Sequence, residues 1–366
     1  MGTEKKLSIA YYVSAHGYGH GVRSCNIIRA VNNLYPQLTV HIISSLPAGF
    51  LSSHIGTTRN TVRAESFDVG MVQHDSIRVD VDATLAMVEQ LYARREELVA
   101  RETGYLRAHD IRLIVADIPA LPIESAAMIG IPRLAVGNFA WDWIYSDFLA
   151  RGPRWKPIVN ILREEYSKTD LLLRLPFCGD MNAFPSIEDI PLVASPGMGR
   201  REEIAKLCGC DLGKKWILLS FTALDWGEDA LARVEQIRDC EFLTVRPLMW
   251  HRSNIHPVDR EQVPFSDVIA SVDAVVSKPG FGILSDCIVN RKPLIYADRS
   301  DFLEYSVLEA SIRRYLRHVH IAAADLYRGN LRESLERLWE SPEPAETLPR
   351  GGDAIAAHRI AALIQR

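Results

Sequence analysis

At 366 residues the chain is long enough for two domains, each burying its own core. Hydrophobic residues make up 48% and charged residues 24%, and the net charge of −4 gives no basic field, so no nucleic-acid partner is expected. Residues 1–6 are short and polar, the apolar run that follows has only strand length, and no stretch approaches the ~20 apolar residues of a membrane span; a soluble, cytoplasmic protein is expected.

In chain order, residues 7–14 read as a buried strand. Residues 20–34 follow as a helix with apolar positions Val22, Cys25, Ile28 and Val31, and 38–44 as a second strand. Residues 82–109 read as one long amphipathic helix, 111–116 as a strand, 123–129 as a helix and 132–137 as a strand. Near-continuous apolar strands alternating with helices predict a parallel sheet covered on both faces. Residues 176–201, rich in proline and glycine, read as the inter-domain linker.

The rhythm then restarts, with strands at 216–220, 241–246, 274–277 and 293–296 and helices at 229–238, 265–271, 283–290, 333–340 and 354–364. Gly351-Gly352 sets the last helix apart. The expected domains are 1–195 and 196–351, with 352–366 packing back onto the first. Two doubly wound α/β domains predict a cleft between the carboxyl ends of two parallel sheets, where such folds bind ligands.

The loop after the first strand reads Ser14-Ala15-His16-Gly17-Tyr18-Gly19-His20-Gly21. Its glycines admit a ligand close to the backbone, and the helix start offers free N–H groups. It is neither a dinucleotide fingerprint nor a Walker loop. The two histidines lack a third partner at metal-site spacing, so no metal is expected there. Either the loop is a tight turn with surface histidines, or a histidine faces the cleft as a general base, which is the preferred reading. A base needs an orienting carboxylate, and Asp117, at the end of the 111–116 strand, is the candidate. Asp117 capping the following helix is the alternative.

The segment Ser277-Lys278-Pro279-Gly280-Phe281-Gly282-Ile283-Leu284-Ser285-Asp286 runs from a strand through a glycine-rich turn into a helix. Such a turn cradles a diphosphate with backbone N–H groups, Lys278 adds a point charge, and Asp286 can accept from ribose hydroxyls. Asp298, Asp301 and Glu304 form an acidic loop after the next strand, suited to sugar hydroxyls or to plain solvation. Ser220 and Thr222 follow the first strand of the second half, placed to meet the same phosphates.

These segments resemble known proteins. Ser277 to Asp286, with Pro264-Phe265-Ser266-Asp267 before it and Asp301-Phe302-Leu303-Glu304-Tyr305 after it, resembles the donor-binding region of UDP-sugar-dependent GT-B glycosyltransferases. Leu218-Leu219-Ser220-Phe221 resembles their phosphate-contacting strand and loop. Gly19-His20 and Val115-Ala116-Asp117 resemble the catalytic base and its aspartate in plant UDP-glycosyltransferases. The His16 to Arg23 loop and Asn138-Phe139-Ala140-Trp141-Asp142-Trp143-Ile144-Tyr145 are similar to the glycosyltransferase-like half of plant L-arabinokinases. The motifs span nearly the whole chain in the expected order.

The resemblance implies a GT-B fold of two Rossmann-like domains facing a central cleft, and inverting transfer of a hexosyl or N-acetylhexosaminyl group. The nucleotide-sugar donor is a substrate, the acceptor carries a hydroxyl, and no cofactor or obligatory metal is expected. His20 and Asp117 are the implied catalytic pair. Ser220, Thr222, Lys278, Gly280, Phe281, Gly282, Ile283, Asp286, Asp301 and Glu304 would hold the donor. His16, Tyr18, Asp75, Asn138 and Trp141 would shape the acceptor site. The chain departs from the pattern where Asp286 replaces a glutamate, Lys278 a histidine, and Glu304-Tyr305 an acidic–glutamine pair. A UDP-N-acetylhexosamine 2-epimerase-like enzyme and a non-catalytic nucleotide-sugar-binding module are the alternatives.

Three further signals compete. Asp80-Val81-Asp82 has the Asp-x-Asp form of a metal motif but lacks its strand context, so helix capping by Asp82 is expected. Arg151, Arg154, Trp155 and Lys156, with Trp141, Trp143 and Tyr145, form a basic-aromatic group that could rest on a membrane surface or stack on an acceptor; an exposed loop beside core aromatics is the alternative. Six cysteines (Cys25, Cys178, Cys208, Cys210, Cys240, Cys287) contain no Cys-x-x-Cys pair and are expected as reduced thiols.

Overall fold

The computed structural model describes residues 7–56, 59–73, 79–299 and 302–365. The chain divides into two compact units: Met1–Val72, Asp80–Ala194 and Pro349–Arg366 form the first, Gln73–Val79 and Ser195–Leu348 the second.

The first unit is built on seven strands, β1 (Leu7–Val13), β2 (Leu38–Ile43), β3 (Thr61–Arg63), β4 (Ile111–Asp117), β5 (Arg133–Gly137), β6 (Leu171–Arg174) and β7 (Ile187–Asp189). They pair in parallel in the order β3-β2-β1-β4-β5-β6-β7. β1 is buried from Ser8 to Val13, because a central parallel strand is covered on both faces. Chain order reverses between β1 and β4, so the loops leaving these two strands diverge at the carboxyl edge and open a crevice there. Val13 stands opposite Asp117 in that register.

The Tyr18–Leu34 helix buries Cys25, Ile27, Ile28 and Val31 against this sheet, and the Gly352–Ile364 helix adds Ala356, Ala357 and Ile360 to the same core. Gly352 is required by sterics: a Cβ there would lie 2.0 Å from the Pro191 carbonyl oxygen. Its N–H donates to Leu192 O at 3.3 Å, and Leu192 N donates to Pro349 O at 3.0 Å, so the returning chain is stitched to the first unit through backbone.

The second unit repeats the plan with six parallel strands, β8 (Lys215–Ser220), β9 (Cys240–Val245), β10 (Ile255–Val258), β11 (Ala274–Ser277), β12 (Leu294–Ala297) and β13 (His318–Ile321). Their order is β10-β9-β8-β11-β12-β13. Its core joins Ile217, Leu219, Phe242, Val276 and Ile295 from the strands to Leu231, Val234, Leu335 and Leu338 from flanking helices.

Four expectations are corrected. Residues 82–109 form two helices, Val81–Ala93 and Arg95–Ala108, separated at Arg94 (φ −102°, ψ 13°). The N-cap is Asp80, whose Oδ1 accepts from Ala83 N at 2.9 Å; Asp82 lies inside the first turn. Residues 176–194 are no linker, since they carry edge strand β7 and place Ile190 and Val193 in the first core. The basic-aromatic group is no open loop. Trp155 begins a helix to Tyr166 that buries Trp155, Ile158, Val159 and Leu162, and Trp141 and Tyr145 are buried too, while the charged members Arg151, Arg154 and Lys156 are exposed. All six cysteines are unbridged.

Candidate functional site

In the first unit the site grows from the ends of β1 and β4. The glycine-rich loop after β1 lets the next helix begin at Tyr18, which puts His20, Arg23 and Ser24 on the turns nearest the carboxyl edge. All three are buried, and so is Asp117, with no exposed surface. His20 Nδ1 lies 2.8 Å from Asp117 Oδ1. Arg23 grips the same carboxylate sideways, Nε donating to Oδ2 at 2.7 Å and Nη2 to Oδ1, while Ser24 Oγ donates to Oδ2 at 2.7 Å. Burial alone would raise the Asp117 carboxyl, but the Arg23 guanidinium and then His20 hold it well below the usual carboxylate range. An ionised Asp117 accepts a hydrogen bond from Nδ1–H and leaves Nε2 of His20 as the basic nitrogen. Asp117 does not cap the following helix, whose N-cap is Ala120.

The surrounding wall is aromatic. Phe139 meets the His20 ring edge-on at 5.5 Å, and Trp141 packs edge-on against Phe139 at 5.1 Å and His16 at 5.2 Å. His16 Nδ1 accepts from Met71 N at 3.1 Å, so it braces a neighbouring loop. Tyr18 is exposed and rests edge-on against Phe50. Asn138 is buried; its Oδ1 accepts from Arg23 Nη1 and its Nδ2 donates to Pro176 O at 2.5 Å, which makes it a holder of Arg23. Trp141 Nε1 donates to Asp68 Oδ2 at 2.9 Å. Burial raises the Asp68 carboxyl against the hydrogen bonds of Ser14 and Trp141 and the nearby His20. Asp75 lies outside the described residues.

In the second unit the ends of β8 and β11 carry the other cluster. Ser277 Oγ donates to Ser220 O at 2.7 Å and ties the two strand ends together. Gly280 is the N-cap of the Phe281–Val289 helix, so Phe281, Gly282 and Ile283 present first-turn N–H groups that have no intrahelical acceptor. Lys278 Nζ donates to Gln73 Oε1 at 3.4 Å within this unit, and Thr222 is exposed after β8. Asp286 lies one turn into the helix, part-buried, and desolvation pushes its carboxyl up to about 7. Glu304 faces Arg299 Nη1 at 3.7 Å; burial raises its carboxyl, and Arg299 opposes that. Asp298 instead pairs with His320. Asp301 lies outside the described residues. Among the described residues no three His, Cys, Asp or Glu side chains converge as a metal site, and no helix is long and apolar enough to cross a membrane.

Two doubly wound sheets, each with its loop cluster at the carboxyl edge, match known structures along their full length. A UDP-glucosyltransferase from Polygonum tinctorium capable of glucosylating indoxyl is 14% identical with a TM-score of 0.60, covering 100% of both chains. The glycotransferase of kitacinnamycin is also 14% identical with a TM-score of 0.60, over 99% of this chain and 94% of that one. The chain has the GT-B fold. A Listeria monocytogenes protein described as a UDP-N-acetylglucosamine 2-epimerase shares this fold at 12% identity and a TM-score of 0.57, over 98% of this chain and 96% of that one. In sequence, L-arabinokinase of Arabidopsis thaliana is 29% identical over 365 residues, 97% of this chain. The chain spans about a third, 34%, of the length of that relative. No protein-family description matches the chain.

Within this GT-B frame four polar residues escaped the sequence reading: Arg23, Ser24, Asp68 and Arg299. Arg23 and Ser24 carried a signal, because they share a helical face with His20, Ile27 and Val31, and a charge on an apolar stripe needs a buried partner. Asp68 lies in the segment after β3, where no periodicity marks it. Arg299 has its side chain only 4% exposed, donates to Pro279 O at 3.2 Å beside the glycine-rich turn, and lies over the Phe302 ring. Burial lowers its guanidinium to about 10 against the opposing pull of Glu304.

Proposed function

We propose that this protein transfers a hexosyl or N-acetylhexosaminyl group from a nucleotide donor of the UDP type to a hydroxyl acceptor, with inversion. One observation carries the reading: His20 Nδ1 sits 2.8 Å from the ionised Asp117, which frees Nε2 to take a proton. In the reaction His20 removes the acceptor's hydroxyl proton as that oxygen attacks the anomeric carbon. The bond to the nucleoside diphosphate breaks on the opposite face, and the leaving group departs with the electron pair.

The second unit supplies the donor side. The first-turn N–H groups at Phe281, Gly282 and Ile283, with Lys278 and Ser220, meet the charge that grows on the diphosphate, so the chemistry needs no metal. Asp286 accepts from the ribose hydroxyls, and Glu304, turned by Arg299, faces the sugar. Tyr18 and Trp141 contribute to the acceptor wall. The reading draws support from the GT-B fold and from a relative whose sequence is alike over nearly all of this chain.

A panel of nucleotides and nucleotide-sugars tested by thermal shift comes first, since a ligand at a hundred times its Kd stabilises by about 2.7 kcal/mol. Selective stabilisation by uridine diphosphates is expected; no response to any nucleotide overturns the reading. His20→Ala should retain that response and lose at least a hundredfold in turnover, the usual scale of a general base. Turnover at the wild-type rate in that variant would remove His20 from the mechanism.

Asp68 favours a second reading. A half-buried carboxyl, raised by desolvation and near His20, gives the site an acid as well as a base, which an epimerase acting on a UDP-N-acetylhexosamine requires. Release of the 2-epimer from UDP-N-acetylglucosamine without any acceptor would establish it.

A further inference from the structure

We infer that Arg23 is a positioning residue whose charge cancels that of Asp117, so that the aspartate orients His20 without trapping it as an imidazolium. The inference rests on His20 acting as the base.

An aspartate alone beside a histidine does two things: it fixes the tautomer and it stabilises the protonated ring. A base that must be unprotonated before each turnover benefits from the first and is hindered by the second. Here Asp117 does not stand alone. Arg23, one turn after His20 on the same helix, binds both its oxygens in a fork, and its Nη2 lies 3.0 Å from His20 Nδ1. The ring therefore faces a carboxylate and a guanidinium at nearly equal distance, 2.8 and 3.0 Å, whose charges sum to zero. Orientation survives because it depends on contact: with Asp117 ionised, a bare Nδ1 lone pair pointing at Oδ1 would be repelled, so Nδ1 keeps its hydrogen. Stabilisation of the imidazolium largely disappears, because a permanent cation sits as close as the anion.

The remaining neighbours leave this balance in place. From β1, Tyr11 lies beneath Asp117 as a neutral phenol, held up by burial. From the end of β5, Phe139 is apolar, and Asn138 is neutral and spends its carbonyl on Arg23 Nη1. From the segment after β3, the Asp68 carboxyl feels His20, and desolvation favours its neutral form. Asn138 fixes the third edge of the guanidinium, so the fork cannot swing away from the carboxylate.

The test reads the His20 ring directly by nitrogen-15 NMR of histidine-labelled full-length protein, the signal being assigned by its loss in His20→Gln. Wild-type protein should carry the ring proton on Nδ1. Arg23→Gln, which removes the charge but keeps hydrogen bonding, should move the ring's protonation midpoint up by about 1 pH unit, because the carboxylate is then unopposed. The acid limb of kcat/KM should move the same way. An unmoved or lowered midpoint, or a wild-type ring protonated on Nε2, overturns the inference.

Arg23→Gln leaves a buried carboxylate unpaired and can fail to fold, so the double variant Arg23→Gln/Asp117→Asn is the companion. It removes both charges, and its midpoint should stay within a few tenths of a pH unit of wild type. A fall of about 1 unit would mean that Asp117 acts alone and Arg23 is only a brace. The ring measurement needs no substrate, so it can succeed or fail whether or not sugar transfer is ever observed. Absence of turnover with any nucleotide-sugar counts against the transfer reading alone.

Discussion

Two carboxylates at the ends of strands or starts of helices reach opposite states in this molecule. Asp117 receives four hydrogen bonds and stays ionised under full burial, whereas Asp286 is part-buried with its carboxyl pushed up to about 7. A ribose diol is a hydrogen-bond donor pair and favours the ionised form. Ligand binding at Asp286 should therefore strengthen as pH rises through about 7. The affinity for UDP-glucose, whose diphosphate diester does not titrate in this range, should be about tenfold higher at pH 8 than at pH 6, following the ionised fraction. Asp286→Asn should flatten that dependence and weaken binding at pH 8. Calorimetric titration at several pH values decides it, and a flat wild-type profile would detach Asp286 from the ribose.

Elements differed in how plainly they could be read. Central strands β1, β4, β8 and β11 are near-continuous apolar runs because both faces are covered, and the sequence reading found each within a residue or two. Edge strands lack that pattern. β3 has three residues, mostly exposed, β7 likewise, and β10 carries Pro257, which only an edge tolerates. The break at Arg94 has no glycine or proline to announce it. At the site, Asp117 was legible because strand ends at one sheet edge converge by topology. The Arg23 fork was not, because it depends on the register that sets Val13 opposite Asp117. The glycine pair before the last helix reads in sequence as a separator, yet Gly352 is a packing contact. Gly352→Ala should cost about 1–3 kcal/mol, the range for forcing an extra carbon into a filled space, read as a lowered denaturation midpoint with an unchanged slope. A neutral result would mean that the Pro191 backbone yields freely.

For the whole molecule, chain order and core membership do not coincide. The last eighteen residues named with the first unit, Pro349–Arg366, follow the entire second unit, and they bring Ala356, Ala357 and Ile360 into a core begun by Ile9 and Tyr11. The second unit closes its own core with Leu335 and Leu338, before Pro349. Deleting residues 349–366 should therefore act on one unit alone. Three buried apolar side chains leave the first core, and the face of the Tyr18–Leu34 helix that met them is exposed. That helix carries His20 and Arg23, so turnover should fall with the loss of order there. In calorimetry the truncated chain should lose or lower the transition belonging to the first unit. The transition of the second should keep its upward shift with UDP-glucose, because every donor-side residue proposed here, from Ser220 to Glu304, lies in that unit. If the ligand response vanishes together with the C-terminal helix, the donor site draws on the first unit, and the assignment of nucleotide binding to Ser220, Lys278 and Asp286 alone is wrong.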